Sequence, residues 1–147
     1  MRDGIRLTLA SLALIVSGQA LALDFSSVAT PAILYDGPSA LARKLYIISA
    51  GTPVEVVVSL EKWVKVRDMS GSLTWIERSA LSPKRTLEVS DAQIDVRQQP
   101  ADDAPVAFEA AKNVVLDMLQ PPADGWIKVR HKDGLVGYVK VGQVWGL

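Results

Sequence analysis

Apolar and polar positions alternate along Trp63-Val64-Lys65-Val66-Arg67, and the alternation returns at Trp126-Ile127-Lys128-Val129-Arg130. A period of two is that of a strand, with successive side chains on opposite faces. It places Val64, Val66, Ile127 and Val129 on a core face and Trp63, Lys65, Trp126 and Lys128 on the other. The rest of the chain reads the same way. Short runs rich in β-branched and aromatic residues predict strands at 32–35, 44–48, 54–58, 63–67 and 73–77, and again at 93–97, 114–119, 126–130 and 135–139. Turn residues separate them: Pro31, Gly37-Pro38, Gly51-Thr52-Pro53 and Ser70-Gly71, then Pro100, Asn113, Pro121-Pro122 and Asp133-Gly134.

The two halves are copies. From Trp63 to Ile76 an offset of 63 residues matches Trp, Lys, Val, Arg and Gly identically, and pairs Val64 with Ile127, Leu73 with Val136, Trp75 with Tyr138 and Ile76 with Val139. Unrelated sequence gives about one identity in such a window, so this is an internal repeat. Upstream the offset is 62, aligning Pro38 with Pro100, Gly51 with Asn113 and Val54 with Leu116. The change of one residue falls before Trp126, at Pro-Pro-Ala-Asp-Gly, where a loop absorbs it. Gly51 and Asn113 both tolerate positive φ, so the same turn is expected at each. Residues 107–112 (Ala-Phe-Glu-Ala-Ala-Lys) have helical propensity. The repeat overrides it, because their counterpart in the first half is the β-rich Leu45-Tyr46-Ile47-Ile48. A short 3-10 turn is expected at 79–81, and Ser82-Pro83-Lys84-Arg85 reads as the linker.

If residues 63–77 form a hairpin turning near Ser70, Val64 faces Ile76 in the core. Trp63, Lys65, Arg67 and Trp75 then share the opposite face, as do Trp126, Lys128, Arg130, Tyr138 and Lys140 in the second repeat. Faces that mix rings and cations fit a peptide or glycan ligand. They fit a structural role better still, closing the edge of a small barrel or packing one repeat on the other, because a 60-residue unit needs its large rings, and the two roles do not exclude each other.

The N-terminus has the pattern of an export signal: Arg2 and Arg6, an apolar stretch from Leu7 to Val16, then Ala20-Leu21-Ala22. The apolar stretch is short for a span, which needs about 20 residues. Cleavage is expected near Ala22, with a mature chain that is periplasmic or secreted and has no stable membrane insertion. The division expected is a signal peptide at 1–22, a first domain at 23–85 and a second at 86–147.

Composition narrows the function by exclusion. Formal net charge is zero, so no basic excess points to nucleic acid. There is no cysteine, hence no disulfide and no thiolate chemistry. The single His131 sits at the Lys132-Asp133-Gly134 turn and reads as a solvated turn residue. Asp102-Asp103, between Pro100 and Pro105, reads as a carboxylate pair solvating its loop. No phosphate loop or zinc spacing occurs. Neither catalysis, a metal nor a cofactor is expected.

The ordered set of pieces resembles tandem bacterial SH3-like (SH3b) domains. The second repeat carries Val96-Arg97, Pro100, Trp126 to Arg130, Asp133-Gly134 and Gly137-Tyr138-Val139. The first carries Gly51-Thr52-Pro53-Val54-Glu55-Val56, Trp63 to Arg67 and Thr74-Trp75-Ile76. It departs from the pattern with Leu34-Tyr35 in place of Val-Arg, and the second repeat departs with Asn113 in place of Gly. The resemblance implies an all-β chain of two tandem small SH3-like β-barrels after a signal peptide. It also implies a non-catalytic envelope module that binds a peptide or peptidoglycan segment. The residues expected to meet that partner are Trp63, Lys65, Trp75, Trp126, Lys128 and Tyr138. The alternative is a structural or assembly partner of another exported protein, with no small ligand. Ala32 to Asp36 also looks like the Tyr-bearing segment of eukaryotic SH3 domains, but the second repeat lacks that Tyr and the likeness is read as coincidence.

Overall fold

A computed structural model describes residues 23–147. The expected export signal lies outside them. The first repeat comprises β1 (Phe25–Val28), β2 (Ala32–Tyr35), β3 (Lys44–Ile48), β4 (Pro53–Ser59), β5 (Trp63–Arg67), β6 (Leu73–Glu77), a 3-10 turn (Arg78–Ala80) and β7 (Leu81–Ser82). The second comprises β8 (Thr86–Val89), β9 (Gln93–Arg97), β10 (Val106–Ala111), β11 (Val115–Met118), β12 (Trp126–Arg130), β13 (Val136–Lys140), a 3-10 turn (Val141–Gln143) and β14 (Val144–Trp145). All pairings are antiparallel. The strand orders are β3-β2-β6-β5-β4-β1-β7 and β10-β9-β13-β12-β11-β8-β14, the same path taken twice. Each order has two ends, so the hydrogen-bonded ladder does not close on itself. Among the described residues no helix is long and apolar enough to cross a membrane.

Alternation sets both cores. Val64 pairs with Ile76 across the β5–β6 hairpin and Ile127 with Val139 across β12–β13. Val28, Leu34, Ile48, Val54, Val64, Val66 and Ile76 form one buried cluster. Leu87, Val89, Ile94, Val96, Leu116, Ile127, Val129 and Val139 belong to the other. Residues 107–111 are strand, as the repeat requires, and Lys112 opens the turn; alternate side chains of β10 are drawn toward the core, with Ala110 buried and Phe108 packed against the cluster. Gly51 and Asn113 make the same turn, with φ of 83° and 69°. In each, the turn N–H reaches the last residue of the repeat's first strand: Gly51 donates to the Val28 carbonyl at 2.7 Å and Asn113 to that of Val89 at 2.9 Å. The 3-10 turn begins one residue earlier than expected, at Arg78. The linker is shorter than expected, because Ser82 belongs to β7 and pairs with Ser27 of β1.

The repeats touch through residues that the repeat pattern does not single out. Phe25 of β1 meets Trp145 of β14 edge to face, with ring centroids 5.0 Å apart. The Arg85 guanidinium lies 5.7 Å from the Phe25 ring centroid and donates to the Gly146 carbonyl at 2.8 Å. Its buried Nε finds no partner among the described residues. The Thr86 hydroxyl donates to the Gly51 carbonyl at 2.6 Å, and Lys84 pairs with Asp117 at 2.9 Å.

Candidate functional site

The β5–β6 hairpin presents its polar face outward in two rows. Direct cross-strand partners share a face. Tyr35 lies opposite Trp75, and Trp75 opposite Lys65, which makes one row across β2, β6 and β5. Trp63 lies opposite Glu77 in the next row. The Lys65 ammonium stands 6.0 Å from the Trp75 ring centroid. Tyr35, itself buried, meets Trp63 edge to face at 5.2 Å. Trp63, Lys65 and Trp75 are thus together on one face, half-buried, and outside the core cluster. Tyr35 joins them, although the sequence reading set it aside. Arg67 is occupied, paired with Glu55 at 2.9 Å.

Beside Trp63 the surface is concave. One hollow of about 520 Å³ is lined by Glu61, Lys62, Trp63, Glu77, Arg78 and Ser79. Another of about 310 Å³ includes Pro31, Ile33 and Tyr35 and shares Glu77 and Ser79 with the first. Arg78 fixes the wall. Its Nε donates to the Glu61 carbonyl at 2.9 Å, and its guanidinium also reaches the Leu60 carbonyl and, at 2.6 Å, the Ser59 hydroxyl.

The second repeat builds the same place from different residues. Its outer row is Arg97, Tyr138 and Lys128, with Trp126 opposite Lys140 in the next. Trp126, Lys128 and Tyr138 are therefore also on one half-buried outer face. The Lys140 ammonium stands 5.6 Å from the Trp126 ring centroid and pairs with Asp102. Arg97 donates to Asp95 at 3.2 Å and to the Ala104 carbonyl at 3.1 Å. The hollow here, about 330 Å³, is lined by Gln93, Asp95, Arg97, Asp102, Trp126 and Lys140 among others. Asp102 thus bonds across the groove instead of only solvating its loop. Its role was legible only once β13 was placed beside that loop.

A fourth concavity, of about 610 Å³, lies between the repeats. Tyr46, Ile48, Asp68 and Met69 line one side, and Glu88, Lys112 and Val115 the other. Tyr46 donates to Asp68 at 2.8 Å, and burial followed by that bond pushes its hydroxyl up to about 12. Burial first, and the Asp68 charge second, hold the Glu88 carboxyl above its ordinary 4.5. A raised carboxyl favours the protonated folded state. Its destabilising effect is therefore complete above the folded pKa and gone below the unfolded one. Glu88→Gln is expected to raise the melting temperature at pH 7 and to leave it unchanged below pH 4.5. An equal gain at both ends of a pH series of thermal melts contradicts this.

His131 accepts the role of a turn residue. Its Nδ1 lies 2.9 Å from Asp133, and its ring rests 6.0 Å from that of Phe108. The Leu135 N–H, and then His131, hold the Asp133 carboxyl below its usual range.

The family model described as "Bacterial SH3 domain" matches residues 28–83 and 90–146. No curated protein matches the chain. Among solved structures, the chain is similar to NlpC2 from Trichomonas vaginalis, at 15% identity and TM-score 0.37, covering 84% of this chain and 48% of that one. For NlpC1 from the same organism the values are 18%, 0.36, 90% and 50%. For an NlpC/P60 family protein from Bacillus cereus ATCC 10987 they are 14%, 0.37, 83% and 56%. The chain spans about half the length of these structures.

Proposed function

The chain belongs to the bacterial SH3 domain family, and from that premise we propose that it is an exported, non-catalytic module of the bacterial envelope that recognises a peptide or peptidoglycan segment through the outer aromatic and cationic faces of its repeats. One observation carries the reading. Trp63, Trp75, Trp126 and Tyr138 belong to neither core cluster, and the repeats meet through Phe25 and Trp145 instead. Half-exposed rings beside a concave surface, with a few polar groups around them, have the make-up of a ligand site.

The test is co-sedimentation of the mature protein with purified peptidoglycan at low and moderate salt. Binding is expected at both, and a protein that stays in the supernatant at both refutes the reading. Trp63→Ala is expected to weaken binding about tenfold or more. The Tyr35–Trp63 ring contact adds about 0.5–1.5 kcal/mol to the burial lost with the ring, so a melting curve of the variant is read beside its binding.

The second reading, an assembly partner of another exported protein, has its own support. Among the described residues β3 ends the first sheet with one side unpaired, and Leu45, Tyr46 and Ile47 are exposed on it, Ile47 at 71%. Such an edge fits a partner that adds a strand.

A further inference from the structure

The two outer grooves occupy one place in the fold, and the register makes their comparison residue by residue. Trp63 faces Glu77 where Trp126 faces Lys140. Tyr35 bridges Trp75 where Arg97 bridges Tyr138. Ile33 corresponds to Asp95, and Ala40 to Asp102. In the second groove every charge is answered from within: Lys140 by Asp102 and by the Trp126 ring, and Arg97 by Asp95. In the first groove no lysine of the described residues stands over the Trp63 ring. A carboxylate takes the lysine's place, and Asp102 has no acidic counterpart.

We propose that the grooves have divided the work: the first takes an ammonium-bearing side chain of the bound peptide, held between the Trp63 ring and Glu77, whereas the second keeps the same place filled by its own Lys140. This rests on the peptide-binding reading above and names the chemistry that the site selects. An ammonium on a flexible aliphatic stem lies along an indole face and is drawn to its electron-rich ring. Lys140 over Trp126 demonstrates that geometry inside this chain. Glu77 is exposed and makes no ion pair among the described residues. Of the neighbouring cations, Arg78 is turned onto the Ser59 hydroxyl and the Leu60 and Glu61 carbonyls, and exposed Lys62 shares the wall of the hollow with Glu61. The Lys140–Asp102 pair is exposed and contributes little stability. Its effect is local concentration. A tethered ammonium competes with a free one as if present at millimolar concentration or above.

The experiment uses the mature protein and peptidoglycan whose stem peptides carry a free side-chain amine. Native material is compared with material whose amines have been acetylated. Acetylation is expected to weaken binding about tenfold, and Glu77→Lys, which copies the second repeat, to do the same on native material. Adding Lys140→Glu with Asp102→Ala to the Glu77→Lys chain opens the second groove and is expected to restore binding. Melting curves establish that each variant is folded. Equal binding of native and acetylated material, or of Glu77→Lys and wild type, overturns the ammonium assignment while leaving wall binding standing. Failure of the triple variant to recover overturns the role given to Lys140. No binding of either material by wild type overturns the peptide-binding reading and this one together.

Discussion

Phe25→Ala is expected to cost about 3–5 kcal/mol, the usual loss for a large ring removed from a packed site. Phe25 is 6% exposed although it lies in a strand next to the edge of its sheet, because Trp145 of the other repeat and the Arg85 guanidinium cover it. Its removal therefore empties the contact between the repeats, not a site within one of them. For a folded unit of this size such a loss lowers the melting temperature by about 10–20 °C. Calorimetry should show one transition in the wild type, with the first repeat melting ahead of the second in the variant. A double-mutant cycle with Trp145→Ala isolates the ring pair, with an expected coupling of about 0.5–1.5 kcal/mol. If the two substitutions add within about 0.3 kcal/mol, the rings do not tie the repeats together.

That contact also marks the limit of what the sequence made legible. Period-two alternation assigned Val64, Val66, Ile127 and Val129 to the core, and each is at most 1% exposed. It worked because both faces of a central hairpin strand are strongly contrasted, and because two copies had to agree. The repeat also overruled the helical propensity of residues 107–112. β1, β7, β8 and β14 went unseen for the opposite reason. Phe25-Ser26-Ser27-Val28 and Thr86-Leu87-Glu88-Val89 are four residues long, and β7 and β14 are two. β7 and β14 are too short to show a period, and in β1 and β8 the polar Ser26-Ser27 and Glu88 interrupt the β-branched and aromatic residues that marked the other strands. Their pairing is decided by long-range register: β1 lies between β4 and β7, and β8 between β11 and β14.

The candidate face divided along similar lines. Strand alternation put Trp63, Lys65 and Trp75 on one side, and the structure places them there. What alternation cannot supply is the third strand. Tyr35 reaches Trp63 because β2 pairs with β6, 40 residues away at Trp75. Asp102 reaches Lys140 from a loop that no spacing rule connects to β13. Tyr35 and Asp102 were each visible as a letter, but neither as a neighbour of its groove.

Gly137 shows how far the two copies have drifted apart beneath their shared register, and it makes the second large prediction. Its counterpart in the first repeat is Thr74, buried at 4% exposure. A Cβ on Gly137 would lie 2.6 Å from Val96 Cγ1 and 2.7 Å from the Arg97 carbonyl oxygen. Both distances are shorter than real Cβ contacts, and the second is to backbone, which no rotamer change relieves. The φ of Gly137 is not positive, so the obstacle is space and not torsion. β9 and β13 therefore approach more closely here than a side chain permits, and the Arg97–Tyr138 bridge of the outer row depends on that approach. Gly137→Ala is expected to cost about 1–3 kcal/mol through forced displacement of β9, and Gly137→Thr more. Amide exchange locates the damage. Protection should fall along β9 and β13 while the first repeat's hairpin keeps its own. The reciprocal Thr74→Gly removes a buried side chain without forcing a strand apart, so it should leave the β2–β6 amides in register. A Gly137→Thr chain as stable as wild type would mean that the second repeat can widen to the spacing of the first, and that the close approach of β9 to β13 is no requirement of its fold.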